Sequence, residues 1–161
     1  MNRAIKLLIV DDESRFLAAI AARLRFRGFD VRTASNGMEA IALARAERFH
    51  LALIDLRMPG LDGGQVLEIL KQEHPHLEAI ILTGHGALES SVELSKAGAF
   101  TCLPKPYELE KLILALQQAY VVRLRKKYAR NADAVERITA SANGDDPLKV
   151  LARLSAFEDD A

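Results

Sequence analysis

The sequence predicts an α/β fold, a doubly wound five-stranded parallel sheet with helices on both faces. Three observations carry this. Short apolar segments alternate with helically spaced ones five times within roughly 120 residues, the pattern of repeated strand–helix units. Most strand segments are continuous apolar runs, as strands buried on both faces require. Several of these runs stop abruptly at a polar group (Asp11-Asp12, Asp55, Thr83), so parallel strands would deliver those groups to one edge of the sheet.

Ile5 to Val10, an apolar run around Lys6, is the first strand, ended by Asp11-Asp12. Phe16, Leu17, Ile20, Ala21 and Leu24 follow at helical spacing as far as Gly28, a C-terminal cap. Phe29 to Ala34 is a weaker second strand, alternating with Asp30 and Arg32, and Asn36-Gly37 reads as a turn. Met38, Ile41, Ala42, Ala44 and Ala46 suggest the second helix. Leu51 to Ile54 is the third strand, ending at Asp55, and Pro59, Gly60, Gly63 and Gly64 read as a loop. Val66, Leu67 and Leu70 carry the next helix towards Pro75. Ala79 to Leu82 is the fourth strand, ending at Thr83-Gly84, and Leu88, Val92, Leu94 and Ala97 carry a helix that stops at Gly98. Phe100 to Leu103 is the fifth strand, followed by Pro104-Lys105-Pro106 and a long helix from near Tyr107.

The chain has 161 residues, half of them apolar and 27% charged, which suits one domain with at most an appendage and excludes disordered, collagenous and low-complexity classes. The single cysteine, Cys102, cannot form an intramolecular disulfide, which argues against a disulfide-stapled secreted domain. No apolar run approaches the roughly 20 residues of a membrane helix, and the start at Met1-Asn2-Arg3 lacks the features of a secretion signal. A cytoplasmic location is expected. The zero net charge is unevenly spread. Residues 1–122 hold 14 basic and 15 acidic groups, residues 123–130 five basic and none acidic, and residues 131–161 three basic and seven acidic.

Chemistry concentrates where the strands end. The first strand offers Asp11 and Asp12, the third Asp55, the fourth Thr83 and the fifth Lys105, while the second offers only Ser35 and Asn36. Taken singly, each has a plain structural reading. Asp-Asp before a helix can be an N-cap, Asp55 before Pro-Gly can be turn chemistry, and Thr83 can cap a helix. Lys105 is harder to explain this way, since a cation near a helix N-terminus opposes the macrodipole. Together they place three carboxylates, a hydroxyl and an ammonium on one edge. Two carboxylates 4 Å apart repel by about 4 kcal/mol at an effective dielectric near 20. One lysine leaves this set at −2, which a divalent cation would neutralise. All-oxygen ligation suits Mg²⁺, which also binds phosphate. A nucleophilic carboxylate beside a metal, a lysine and a hydroxyl fits phosphoryl transfer.

These residues make the sequence resemble the receiver domain of two-component response regulators. The resemblance spans about residues 4–120 and rests on Leu8-Ile9-Val10-Asp11-Asp12-Glu13, Asp55-Leu56-Arg57-Met58-Pro59-Gly60-Leu61-Asp62-Gly63, Ile81-Leu82-Thr83-Gly84 and Lys105-Pro106. It implies a flavodoxin-like strand order 2-1-3-4-5. It also implies that Asp55 accepts a phosphoryl group from a histidine kinase or histidine phosphotransfer protein. Asp12, Asp55 and the main-chain carbonyl of Arg57 would bind Mg²⁺ directly, with Asp11 binding through water. Thr83 and Lys105 would contact the phosphoryl oxygens, and the Lys105–Pro106 peptide would be cis. Phosphorylation would then bias the surface formed by the helix after the fourth strand, the fifth strand and the helix after it, and so address a downstream effector protein. Arg57 and His85 occupy positions that vary in the family and tune acyl-phosphate lifetime. Such a protein is a signalling phosphoacceptor, not a turnover enzyme. One departure stands out. Cys102 holds the place of an aromatic residue that usually moves inward on activation. Strand alternation would put Phe100 on the same face as Cys102, and Tyr107 lies just beyond the loop.

Beyond the receiver (residues 4–120), residues 121–161 read as a helical extension. The apolar stripe of Leu109, Leu112, Leu116 and Tyr120 continues through Leu124 and Tyr128 towards Ala132, Val135 and Ile138. Its second half has no sheet to cover and would suit a homodimeric coiled coil or contact with the tail. Residues 141–147 read as a linker, and Pro147 to Phe157 as a short amphipathic helix with Leu148, Val150, Leu151 and Leu154. Arg123, Arg125, Lys126, Lys127 and Arg130 form a basic stretch, but no helix-turn-helix pattern follows and the tail is acidic, so DNA binding is not expected. A phosphatase resembling haloacid dehalogenases would need Asp-x-Asp after the first strand, where this chain has Asp11-Asp12-Glu13. No Gly-x-x-x-x-Gly-Lys phosphate loop is present.

Overall fold

Strands β1 (Lys6–Val10), β2 (Asp30–Ala34), β3 (Leu51–Asp55), β4 (Glu78–Thr83) and β5 (Thr101–Pro104) form one parallel sheet in the order β2-β1-β3-β4-β5. The computed structural model describes residues 3–84, 93–142 and 144–161. The expected residues Leu88, Val92 and His85 lie outside them, while residues 93–96 are helical. The other helices are α1 (Ser14–Phe26), α2 (Gly37–Ala46), α3 (Gly63–Glu73), α4 (Leu109–Lys127), α5 (Ala132–Ser141) and α6 (Pro147–Asp160). Among the described residues no helix is long and apolar enough to cross a membrane.

Strand alternation builds two cores. Leu7, Ile9, Leu51, Leu53, Ile80 and Leu82 face one layer, with α1 and α4. Leu8, Val10, Ala52, Ile54, Ala79 and Ile81 face the other, with α2 and α3. Both sets are buried, which is why β1, β3 and β4 read as unbroken apolar runs.

Two features read as turn and loop are helix starts. Asn36 is the N-cap of α2, its side-chain oxygen accepting the Glu39 N–H at 2.8 Å. Gly37 sits under α3, where a Cβ would come within 2.6 Å of Val66 Cγ2. Asp62 opens α3 with a capping box. Its carboxylate accepts the Gln65 N–H at 2.9 Å, and the Gln65 side chain accepts the Asp62 N–H at 3.0 Å. Gly63 and Gly64 are therefore the first turn of α3 rather than loop. Gly63 lets that turn touch the end of β3, since a Cβ there would lie 2.5 Å from the Asp55 carbonyl oxygen.

The apolar stripe of the C-terminal region does not continue as one helix. Helix α4 ends at Lys127, a 3-10 turn spans Ala129–Asn131, and α5 and α6 fold back. Val135, Val150, Leu151 and Leu154 join the core cluster that contains Leu116, Tyr120 and Leu124. Tyr128 and Phe157 meet edge to face, 5.6 Å between ring centroids.

Glu158 of α6 fastens this contact. Its carboxylate accepts from the Tyr120 hydroxyl (2.6 Å), from Arg123 through both oxygens (3.1 and 2.8 Å) and from Lys127 (2.9 Å). Arg123 also donates to the His76 carbonyl at 2.7 Å. Burial opposes ionisation of Glu158, but the hydrogen bonds from Arg123, Tyr120 and Lys127 prevail and hold its pKa at about 2. Beside it, His50 Nδ1 accepts the Lys6 N–H at 2.8 Å, so a neutral His50 carries its proton on Nε2. Burial first, and Arg123 second, lower His50 to about 4.

Candidate functional site

The ends of β1, β3, β4 and β5 meet where strand order reverses between β1 and β3. Asp11 and Asp12 follow β1, Asp55 ends β3, Thr83 ends β4 and Lys105 follows β5. Asp11 is fully buried, Asp55 and Thr83 are buried, and Asp12 is exposed. Register fixes their spacing. Asp55 lies opposite Leu82, so Thr83 stands one residue further along β4 and opposite Pro104. The Lys105 N–H donates to the Thr83 carbonyl at 2.7 Å, continuing the ladder past β5.

The carboxylates converge. Asp11, Asp12 and Asp55 each offer an oxygen within 4.8 Å of the others. Lys105 Nζ lies 3.0 Å from Asp11 Oδ2 and 3.3 Å from Asp55 Oδ1. The other Asp11 oxygen accepts the Glu13 N–H at 2.9 Å. One ammonium among three carboxylates does not balance them. Burial, and next the charge of Asp11, push the Asp55 carboxyl above its ordinary pKa despite Lys105. Burial alone would lower Lys105, but its hydrogen bond to Asp11 and the charges of Asp11 and Asp55 outweigh that and raise it. Such a donor set fits a divalent cation: hard oxygen ligands, excess negative charge, and an exposed side at Asp12 for water or a phosphoryl oxygen. Arg57 follows Asp55 by two residues on the exposed loop ahead of α3. The Lys105–Pro106 peptide is cis.

Two aromatic residues complete the surroundings of Lys105. The Phe16 ring faces its ammonium at 4.3 Å, and the Tyr107 ring packs perpendicular to Phe16 with 6.2 Å between centroids. Phe16 reads from the sequence as an ordinary core position of α1. Its signal is its place in the first turn of α1, the helix that starts directly after Asp11-Asp12-Glu13.

Cys102 is half-buried on β5, and burial raises its thiol pKa, which disfavours the reactive thiolate. Phe100 does not share its face. Phe100 packs into the layer of α1 and α4, whereas Cys102 packs into the layer of α2 and α3. The strand begins only at Thr101, so the alternation that relates the two positions does not reach Phe100.

The basic stretch of residues 123–130 is largely neutralised within the chain. Arg123 and Lys127 bind Glu158, Arg125 binds Glu136 at 2.6 Å, and Lys126 binds Glu78 at 2.9 Å.

Comparison with known proteins agrees with this geometry. The family model of the response regulator receiver domain matches residues 7–117. The DNA-binding transcriptional regulator NtrC of Salmonella typhimurium is 31% identical over 159 residues, covering 96% of this chain and 34% of that protein. The nitrogen assimilation regulatory protein NtrX of Azorhizobium caulinodans is 35% identical over 124 residues, covering 75% of this chain and 27% of that one. The chain thus spans about a third or less of these curated relatives. A response regulator receiver domain protein of Clostridium thermocellum superimposes with a TM-score of 0.71 at 35% identity, covering 78% of this chain and 98% of that one. This chain belongs to the response regulator receiver domain family, as a homologue of the NtrC and NtrX response regulators.

Proposed function

We infer that this chain is a phosphoacceptor switch in which Asp55 takes a phosphoryl group from a phosphohistidine of a histidine kinase or histidine phosphotransfer protein. The observation that carries the reading is the position of Lys105, which bridges Asp11 and Asp55 at 3.0 and 3.3 Å beside the third carboxylate, Asp12. An Asp55 carboxylate oxygen attacks phosphorus, the phosphorus–nitrogen bond breaks, and its electron pair stays with the departing imidazole. The product is an acyl phosphate on Asp55.

The side chains around Asp55 have distinct tasks. The Thr83 hydroxyl and the Lys105 ammonium donate to the transferred phosphoryl oxygens. Asp12, Asp55 and the main-chain carbonyl of Arg57 would hold Mg²⁺. Asp11 would act through water, since its two oxygens already serve the Glu13 N–H and Lys105. The ion supplies charge neutralisation between the carboxylates and the incoming phosphoryl oxygens. The group remains on the chain until it is hydrolysed, so the chemistry is that of a switch and not of a turnover enzyme.

Output goes to a downstream effector protein through the surface of β5, α4 and the preceding helical residues 93–96. The functional residues all lie in the unit of residues 4–120, with residues 121–161 as its helical extension. Pairing of two copies through that extension would have to use faces other than the one carrying Val150, Leu151 and Leu154, which is turned inward. The internal pairing of the basic stretch argues against direct DNA contact by this chain. The cytoplasm is the compartment in which such a partner kinase domain would be met.

The test is intact mass after treatment with acetyl phosphate and Mg²⁺. One added phosphoryl group, lost in Asp55→Asn and in the presence of a chelator, is the expected result. No adduct under any condition overturns the reading.

A further inference from the structure

The ammonium of Lys105 meets the acidic pocket on two sides, through a hydrogen bond to Asp11 and an ion pair with Asp55. Nζ reaches Asp11 Oδ2 at 3.0 Å and Asp55 Oδ1 at 3.3 Å. A third side of it faces the Phe16 ring, 4.3 Å from the centroid. A ring face attracts a cation through its quadrupole and offers no competing charge. Phe16 also closes that side of the ammonium to an additional anion.

Phe16 is itself held. The Tyr107 ring packs perpendicular to it, with an interplanar angle of 89° and 6.2 Å between centroids, so a turn of the Phe16 ring disturbs this contact. The Tyr107 hydroxyl is buried and has no hydrogen-bond partner among the described residues. Lys105 and Tyr107 sit on the segment between β5 and α4, whereas Phe16 sits on the first turn of α1. A cavity of about 550 Å³, lined in part by Phe16, Ile20, Lys105, Tyr107 and Leu109, adjoins the stack.

We propose that Phe16 and Tyr107 are positioning residues for Lys105, an aromatic clamp that holds the ammonium against Asp11 and Asp55 and ties its position to the first turn of α1. This rests on the phosphoacceptor reading of Asp55. Movement of Lys105 towards a phosphoryl group must either carry Phe16 with it or break the ring contact, so α1 senses the state of the pocket.

Two measurements test this on the full chain. In the proton spectrum, the Lys105 ε-methylene resonance is shifted upfield by the Phe16 ring current and returns to an ordinary lysine position in Phe16→Leu, while the backbone amide pattern stays folded. With acetyl phosphate and Mg²⁺, Phe16→Leu forms the acyl phosphate about three- to tenfold more slowly, and Tyr107→Leu shows a smaller loss. Phe16→Tyr, which keeps the ring, retains the rate and serves if the leucine variant folds poorly. Phe26→Leu, at an exposed aromatic on the same helix, leaves the rate unchanged. In a Lys105→Ala background, Phe16→Leu adds nothing. Equal rates for wild type and Phe16→Leu, an undiminished effect without Lys105, or an unshifted Lys105 resonance in the wild type overturns the clamp. An absence of any adduct on the wild type overturns the phosphoacceptor reading instead, and the resonance still decides whether Phe16 holds Lys105.

Discussion

Arg123 of α4 and Glu158 of α6 form a two-point ion pair at 2.8 and 3.1 Å, with both side chains less than a tenth exposed. A buried pair of this kind adds little beyond an apolar pair of the same shape, but breaking it leaves a charge unpaired in the interior. Glu158→Ala therefore costs on the order of 3–5 kcal/mol, read as a lower urea midpoint. Amide exchange in α6 should accelerate before exchange in the sheet, because α6 is bound to the body chiefly through this carboxylate and the apolar face of Val150, Leu151 and Leu154.

The same cluster makes the fold acid-sensitive in two stages. His50 has a folded pKa of about 4 against 6.5 when unfolded, so the folded chain binds fewer protons between these values. Its contribution is complete above pH 6.5 and is lost as pH falls towards 4. Glu158, at about 2 against 4.5, repeats this lower down, with stability present above 4.5 and lost as pH falls through 2. The first stage should amount to at most roughly 3 kcal/mol. Replacing His50 with Gln removes the slope between pH 6.5 and 4 in urea titrations and leaves the lower stage in place.

Crowding of carboxylates at the sheet edge costs stability when no cation is bound. Burial and Asp11 raise the Asp55 carboxyl, so keeping it charged at neutral pH is unfavourable. A raised folded value means that the penalty is absent in acid and grows as pH rises through the folded pKa. At pH 7 without divalent metal, Asp55→Asn should melt higher than the wild type, by about 2–4 °C for each kcal/mol relieved. Added Mg²⁺ should raise the wild type and leave the variant nearly unchanged. Calorimetry with and without chelator checks both.

Gly63 provides the close approach of α3 to the end of β3. Its missing Cβ would sit 2.5 Å from the Asp55 carbonyl oxygen and 2.8 Å from Leu56 Cα, both backbone atoms that cannot turn aside. Gly63→Ala should destabilise by about 1–3 kcal/mol and slow acyl-phosphate formation by displacing the end of β3. Gly60→Ala, where a Cβ would meet nothing within 4 Å but φ is +79°, should cost only the backbone strain and leave the rate near wild type.

Much of this architecture is legible in the sequence, for physical reasons. Strands buried on both faces must be apolar throughout, so Leu51 to Ile54 and Ala79 to Leu82 announce themselves, and parallel topology sends Asp55 and Thr83 to one edge. The Asn36 and Asp62 caps were harder to see because Asn-Gly and Asp-Gly-Gly serve turns and helix starts equally. Only the packing of Gly37 and Gly63 against α3 and β3 decides between them. The sequence leaves two covers open for the C-terminal stripe, a second copy or the tail, because an apolar stripe does not name its cover, and the structure shows the tail. Leu124, Tyr128 and Val135 suit a second copy of the chain as well as they suit α6. Glu158 gave no signal either, since a glutamate near a chain end is ordinarily solvated, and its burial depends on four donors from α4 and the residue that follows it.

The most direct test of the central claim is to locate the acyl phosphate. Borohydride reduces an aspartyl phosphate to homoserine, and peptide mass mapping after treatment with acetyl phosphate and Mg²⁺ then identifies the residue converted. Homoserine at position 55, absent without Mg²⁺, is the predicted result. Homoserine at position 11 or 12, or no conversion anywhere, would contradict the assignment of Asp55 as the acceptor.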